Sequence, residues 1–138
     1  MIGLVIVAHG GLAEELLRAA EHVVGPLERA LAVGLGPRDD LAERRTAIEE
    51  AVTQVDSGAG VVILTDLFGG TPSNLAIATR ARFDNVDVVT GANLPMMMKL
   101  AKSRNLPRRE AVAAAVDAGR RYIIDPRSLL GEGEAEPR

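Results

Sequence analysis

Two residues of this chain could act together in phosphoryl chemistry, His9 and Asp66. Each comes directly after a run of apolar residues, at positions 4–8 and 60–65. A carboxylate that accepts the Nδ1 proton of a neutral imidazole fixes the tautomer and leaves the Nε2 lone pair facing outward. Such a nitrogen can attack phosphorus and carry a phosphoryl group covalently, and the carboxylate stabilises the positive ring that results. We therefore predict that His9 and Asp66 form a catalytic pair.

Small residues follow both members of the pair and could bind the phosphate. Gly10 and Gly11 lead into a predicted helix, whose free N–H groups would point at the phosphoryl group. Gly69 and Gly70 permit a close approach of backbone N–H groups, and Thr71 offers a hydroxyl. These five residues are the predicted phosphate-binding set, and no metal or cofactor is expected.

The elements that must position these residues alternate along the chain. Buried or amphipathic strands are predicted at residues 4–8, 30–35, 60–65 and 86–90, and helices at 12–24, 41–55, 74–82, 96–103 and 109–120. This alternation predicts an α/β fold, doubly wound, with four parallel strands flanked by helices. Placing the second strand at an edge gives the order 2-1-3-4. His9 and Asp66 then end neighbouring strands, at the crevice where the winding reverses.

Several details of these elements are also predicted. Leu41 is expected on the buried face of its helix, together with Ile48, Val52 and Val55. Thr71 or Ser73 is expected to cap the helix at 74–82. At least one of the three adjacent methionines, residues 96–98, is expected in the core, and another could line an adaptable rim where a partner docks. A last short strand is expected at residues 122–125.

Composition limits the classes of function. The chain has 138 residues, 47% of them hydrophobic, which suits one domain; we place it at residues 1–128, with a disordered tail at 129–138. The net charge of -3 and the lack of a basic run argue against a nucleic-acid partner. The absence of cysteine excludes disulfides and thiolate chemistry. No apolar run reaches the roughly 18 residues of a membrane span, so a cytoplasmic protein is expected.

Three segments carry a resemblance to a known family. IVAHG near the start, LTDLFGGTPSN in the middle and TGANLPM later resemble the mannose-type enzyme IIA of the bacterial phosphoenolpyruvate-dependent sugar phosphotransferase system, the mannose/fructose/sorbose family. The resemblance covers roughly residues 1–122, with the motifs in the family's order and spacing. It implies that His9 accepts phosphate from phospho-HPr and passes it to a IIB component, with Asp66 as its hydrogen-bonded partner. Thr71 takes the place of a hydroxyl residue that lines the site.

The resemblance also implies how the protein would assemble and work. It implies a homodimer in which a short antiparallel fifth strand, here Ile123–Ile124, is exchanged between subunits. Because the chain is expected to hold only the IIA part, the IIB acceptor would be a separate protein. Contact with the membrane would be indirect, through the IIC/IID transporter. Such a phosphotransferase component is a relay with a phosphohistidine intermediate, and it could serve sugar uptake or regulation.

Three other functions are compatible with parts of the pattern. The phosphocarrier subunit of a dihydroxyacetone kinase shares the expected fold and histidine, although GGTP after Asp66 favours the mannose-type group. A regulatory binding module could use phosphorylation of His9 only as a signal. A receiver phosphorylated on aspartate ranks last, because the first strand ends in a histidine instead of an acidic pair that could hold Mg²⁺.

Overall fold

The computed structural model describes residues 1–131. Strands and helices alternate through most of this length. In chain order they are β1 Gly3–His9, α1 Leu12–Val24, β2 Ala30–Leu35, α2 Leu41–Val55, β3 Val61–Thr65, α3 Thr71–Arg80, β4 Val86–Thr90, α4 Leu94–Lys102, α5 Arg108–Arg121 and α6 Pro126–Leu129.

The four strands form one parallel sheet in the order β2-β1-β3-β4. The central strand β1 pairs with β2, where His9 lies opposite Leu35, and with β3, where Val7 lies opposite Thr65. The predicted α/β fold and its strand order 2-1-3-4 are therefore confirmed. Because all strands run the same way, the residues that follow β1, β2 and β3 meet at one edge of the sheet.

Helices cover both faces of the sheet, which explains the continuous apolar runs of β1 and β3. Alternate residues of β1 point to opposite sides: Ile6 joins a cluster with Met97 and Leu100 of α4, and Val7 joins a cluster with Ile48 and Val52 of α2. Burial of each such large side chain stabilises the fold by about 1.5–3 kcal/mol. The sheet is therefore rigid, and it fixes the positions in space of the carboxyl ends of β1 and β3.

The start of α3 differs from the prediction. The helix begins at Thr71, three residues earlier than expected, and Gly70 is its N-cap with no side-chain hydrogen bond. The prediction that Thr71 or Ser73 caps this helix is wrong, because both residues lie inside its first turn. Pro72 explains the early start, since its fixed φ suits the beginning of a helix and it has no N–H to satisfy there.

The last predicted strand, at residues 122–125, is wrong for the single chain. These residues have no ladder partner; Asp125 instead caps α6 by accepting a hydrogen bond from the backbone N–H of Arg127. A strand needs a neighbour, and a strand formed only between two copies stays a prediction. Of the predicted disordered tail, Leu129 ends α6, and residues 132–138 lie outside the described residues.

One residue expected in the core is exposed. Ile48, Val52 and Val55 of α2 are buried as predicted, but the side chain of Leu41 is 54% exposed. Leu41 is the first residue of α2 and lines an open cleft beside the ends of β1 and β2, so it faces solvent. Among the helices of residues 1–131, none has the length and apolar character needed to cross a membrane.

Candidate active site

The fold brings His9 and Asp66 into direct contact, although 57 positions separate them in the chain. His9 is the last residue of β1, and Asp66 directly follows β3. His9 Nδ1 lies 2.7 Å from Asp66 Oδ2, and the backbone N–H of His9 donates to the same oxygen at 3.0 Å. The backbone N–H of Leu67 donates to the other oxygen, Oδ1, at 3.0 Å. The carboxylate is thus held in place, and it in turn holds the ring.

The electrostatics of the pair favour an ionised carboxylate. Burial raises the pKa of Asp66, but the hydrogen bonds from the backbone and ring of His9 and from Leu67 outweigh it and hold the pKa below its ordinary value. A charged Asp66 favours the imidazole tautomer with the proton on Nδ1. The Asp66 side chain is 10% exposed and that of His9 is 51% exposed. The orienting group is therefore nearly buried while the ring that it orients is open to solvent.

The turn after β1 requires glycine at Gly10 in the turn itself and at Gly34 of β2, which packs against the turn. Gly10 has a φ of +57°, a conformation that side chains disfavour, and its N–H donates to the carbonyl of Leu35 at 2.8 Å. Gly34 of β2 lies so close that an added Cβ would stand 2.4 Å from the Gly10 carbonyl oxygen. Gly11 is the N-cap of α1 and is not capped by a side chain. The first turn of α1 thus starts beside His9, as predicted.

The loop after β3 approaches the ring from the other side. A Cβ on Gly70 would lie 3.0 Å from His9 Cε1 and 3.4 Å from Nε2, so the glycine leaves room at this edge of the ring. Thr71 lines the same cleft as His9 and Gly10. Gly69 takes a φ of +93° and shapes the loop, but it does not line the cleft. Of the predicted phosphate-binding set, Gly10 and Thr71 therefore line the cleft with His9 and Gly70 lies beside its ring, whereas Gly11 and Gly69 do not line the cleft.

The cleft that contains His9 has a volume of about 250 Å³. It has a second wall, which was not predicted from the sequence. Its residues come from the end of β2, from the segment that leads to α2 and from the first position of α2: Leu35, Gly36, Pro37, Asp39 and Leu41. The predicted strand order contained the signal, because it places the end of β2 next to His9.

Other residues named from the sequence lie away from the cleft. Met96 and Met97 are buried, which confirms that at least one methionine is in the core. Met98 lines a separate hollow between α4 and α5, with Tyr122, so its predicted role at a partner's rim stays a prediction. Asn93 caps α4 through the N–H of Met96 and donates to the carbonyl of Gly119.

The fold and the site define a class: a doubly wound α/β protein with a carboxylate-oriented histidine at the switch point of its parallel sheet. The pattern of the family described as "PTS system fructose IIA component" matches residues 3–117. The chain belongs to this family, which includes the EIIA components of the mannose, fructose and sorbose phosphotransferase systems.

Individual relatives agree with the family. The chain is 31% identical over 124 residues to the "PTS system mannose-specific EIIAB component" of Escherichia coli, which covers 88% of this chain but 38% of that protein. It is 28% identical over 104 residues to the sorbose-specific EIIA component of Lacticaseibacillus casei, with 74% and 73% of the two chains covered. Component EIIA from Streptococcus agalactiae superimposes with a TM-score of 0.84, at 26% identity, and covers 93% of this chain and 99% of that one.

Proposed function

We propose that this protein is a phosphoryl carrier of the phosphotransferase system, with His9 as the residue that is phosphorylated. The observation that carries the proposal is the 2.7 Å contact between His9 Nδ1 and Asp66, combined with an exposed ring. That geometry directs the free Nε2 lone pair to solvent, where a protein partner can reach it. Phospho-HPr is the proposed donor, and a IIB component is the proposed acceptor.

In the proposed transfer, the Nε2 lone pair of His9 forms a bond to phosphorus as the bond between phosphorus and the donor nitrogen breaks. The electron pair of the broken bond stays with the donor histidine. The His9 ring, which keeps its Nδ1 proton, becomes positive and is stabilised by the Asp66 carboxylate. Transfer to IIB reverses these changes, with an acceptor side chain attacking the phosphorus. The protein is a relay, and its geometry must suit both directions.

The residues around His9 support this proposal. The N-terminal turn of α1 has free N–H groups that can bind the phosphoryl oxygens, and its dipole favours negative charge there. Thr71 supplies a hydroxyl on the wall of the cleft, and Gly70 leaves space beside Nε2. We propose that these groups hold the transferred phosphoryl oxygens. The cytoplasmic location and the indirect link to a IIC/IID transporter stay predictions.

The proposed function includes a homodimer that exchanges the segment Ile123–Ile124. In residues 1–131, β4 has one neighbouring strand, β3, so its other edge has free backbone groups. Ile123 lines a hollow beside Val88 and Thr90 of β4, and its side chain is 79% exposed. An apolar segment next to an open strand edge supports pairing with a second copy, and exchange of a segment is a low-cost route to a dimer.

The direct test is phosphorylation with phosphoenolpyruvate, enzyme I and HPr, followed by measurement of the intact mass. The wild-type protein should gain one phosphoryl group, which acid should remove. His9→Ala should gain none, whereas His22→Ala, a change of the only other histidine, should gain one as the wild type does. Absence of phosphate on the wild type with active donor proteins, or its retention in His9→Ala, would overturn the proposal.

A further inference from the structure

A hollow between α4 and α5 has no part in the phosphoryl chemistry proposed above. Its volume is about 340 Å³, and its lining comes from one face of α4 and from the C-terminal end of α5: Pro95, Met98, Lys99, Lys102, Ala118 and Tyr122. Helices α4 and α5 pack on the sheet face opposite α2 and α3, and none of these residues lines the cleft that contains His9. We call this second site the lysine hollow.

The lysine hollow collects residue types that the chain uses nowhere else. Of the 16 lysine and arginine residues in the sequence, only two are lysines, Lys99 and Lys102, and the chain has a single tyrosine, Tyr122. All three line this one hollow. A lysine differs from an arginine in carrying a compact ammonium group with three rotatable donors. The chain therefore places its only ammonium side chains together, beside its only phenol.

The two lysines have no counter-charge from the protein. They lie three positions apart on α4, which puts them on the same helix face with Cβ atoms about 5–6 Å apart. Neither lysine forms an ion pair within residues 1–131. None of the described carboxylates lines the hollow, and Asp117, next to Ala118 in the chain, pairs with Arg121 at 2.7 Å. Two adjacent positive charges without an acidic partner favour an anion.

The rest of the lining offers contact to an apolar group. Pro95 and Met98 form the α4 side, and methionine adapts its shape to what it touches. Tyr122 adds an aromatic ring that is 58% exposed. Mainly apolar walls with a few polar groups are typical of small-molecule sites, and the volume of about 340 Å³ lies within their range of roughly 300–1,000 Å³.

We propose that the lysine hollow binds a small phosphate monoester with an apolar body. Lys99 and Lys102 bind the phosphate, and the apolar body packs against Met98 and the ring of Tyr122. A phosphate monoester carries a charge of about -1.5 to -2 at pH 7, which matches two ammonium groups better than the single charge of a carboxylate does. The proposal does not depend on phosphorylation of His9, because the two sites share no lining residue.

Tyrosine fluorescence reports on this hollow directly, because Tyr122 is the only tyrosine and the chain has no tryptophan. Hexyl phosphate is the probe, since it joins an alkyl chain to a phosphate and does not absorb where tyrosine does. Its titration should change the emission of Tyr122, with a dissociation constant at least roughly tenfold lower than for inorganic phosphate, hexanol or hexanoate. Equal binding of any of these three compounds, or no saturable change with hexyl phosphate, would overturn the proposal.

The role of the two ammonium groups is tested with Lys99→Gln and Lys102→Gln. Each change should raise the dissociation constant of hexyl phosphate by about fivefold, measured by fluorescence and by calorimetry. Arg80→Gln is the matched control: Arg80 is the exposed last residue of α3, and it has no ion pair among the described residues. A cation in the last turn also stabilises a helix through its dipole, so Arg80→Gln and Lys102→Gln should lower the melting temperature alike, whereas only Lys102→Gln should weaken binding. Wild-type affinity in both lysine variants would overturn the proposal.

Two further measurements exclude other occupants and other sites. His9→Ala should bind hexyl phosphate as the wild type does, and the lysine variants should be phosphorylated as the wild type is, so this proposal and the proposed function can fail separately. Loss of binding in His9→Ala would place the probe in the His9 cleft and overturn the proposal. Sedimentation equilibrium tests whether a second copy fills the hollow: hexyl phosphate should leave the association of the protein unchanged, and competition between the two would overturn the proposal.

Discussion

One oxygen of Asp66 accepts two hydrogen bonds from His9, one from the ring at 2.7 Å and one from the backbone at 3.0 Å. The same carboxylate oxygen therefore ties the end of β1 to the end of β3 and sets the orientation of the imidazole. Because β1 and β3 are hydrogen-bonded neighbours, the sheet holds this contact rigidly. A contact of this kind depends on strand order as much as on residue type.

The first prediction concerns the charge of Asp66. Asp66→Asn should slow phosphoryl transfer to His9 by about ten- to a hundredfold, because hydrogen bonds to a charged group are worth about 1.5–3 kcal/mol and the neutral amide stabilises the positive ring less. The rate is measured with excess phospho-HPr by rapid quench. An unchanged rate in a folded Asp66→Asn protein would remove Asp66 from the mechanism.

The second prediction concerns the space beside the ring. Gly70→Ala adds a Cβ 3.0 Å from His9 Cε1, so the ring must shift or lose room at Nε2. Gly70 has a φ of -88°, which alanine adopts without strain. The melting temperature should therefore stay within a few degrees while phosphorylation slows by roughly tenfold, by analogy with the cost of small misplacements of reacting groups. Wild-type rates in Gly70→Ala would show that this space is not used.

The third prediction concerns stability and pH. The Asp56 carboxylate accepts hydrogen bonds from the backbone N–H groups of Gly58 and Gly60 and from the side chain of Asn85, at 2.8, 3.2 and 2.9 Å. The Gly58 bond first, and then the Asn85 bond, hold the pKa of Asp56 below its ordinary value. Asp56→Ala should lower the free energy of unfolding at pH 7 by about 1–3 kcal/mol.

The sign of the pH dependence follows from the lowered pKa. A carboxylate with a lower pKa in the folded state stabilises the fold above its unfolded pKa, near 4, and loses that contribution as the pH falls through the folded value. The difference in unfolding free energy between wild type and Asp56→Ala should thus be largest at neutral pH and shrink as the pH falls below about 4. Urea unfolding at several pH values measures it, with Asp84→Ala as the exposed control. A difference that is constant over this range would contradict the assignment.

The fourth prediction concerns assembly. Ile123→Lys should weaken a dimer that forms through residues 122–125, because it places a charge where an apolar side chain would be covered. Sedimentation equilibrium at micromolar concentrations measures the association. Leu106→Lys, a change at an exposed leucine in the connection between α4 and α5, should associate as the wild type does. A wild type that is monomeric, or an Ile123→Lys protein that dimerises as the wild type does, would contradict the exchange.

The prediction that His9 and Asp66 lie in contact, which the structure confirms, has a local cause. The apolar runs before His9 and Asp66 are long enough to indicate buried strands, and glycines mark where both runs end. In a parallel sheet the ends of such strands meet, so two local signals and one topological rule were enough to bring His9 and Asp66 together. The bounds of β2, β4, α1 and α2 were confirmed for the same reason, since their stop signals are local.

The errors have the opposite cause. Leu41 has the right spacing for the face of α2 that packs on the sheet, but it is the first residue of the helix and lines the open cleft beside His9. Residues 122–125 have the apolar character of a strand but no neighbour in their own chain. Asp39 resembles an ordinary turn residue until the end of β2 is placed beside His9.

By itself, the sequence determined the four strands of the sheet, the presence of α1 to α5 and the identity of the two residues that can share a proton, because apolar periodicity and turn residues act over short stretches of chain. The tertiary structure decided the 2.7 Å contact between His9 and Asp66, the glycine gap beside the ring and the second wall of the cleft. Those features depend on distances between segments that are far apart in the chain, and the pairing of the strands together with the packing of the helices on the sheet sets such distances.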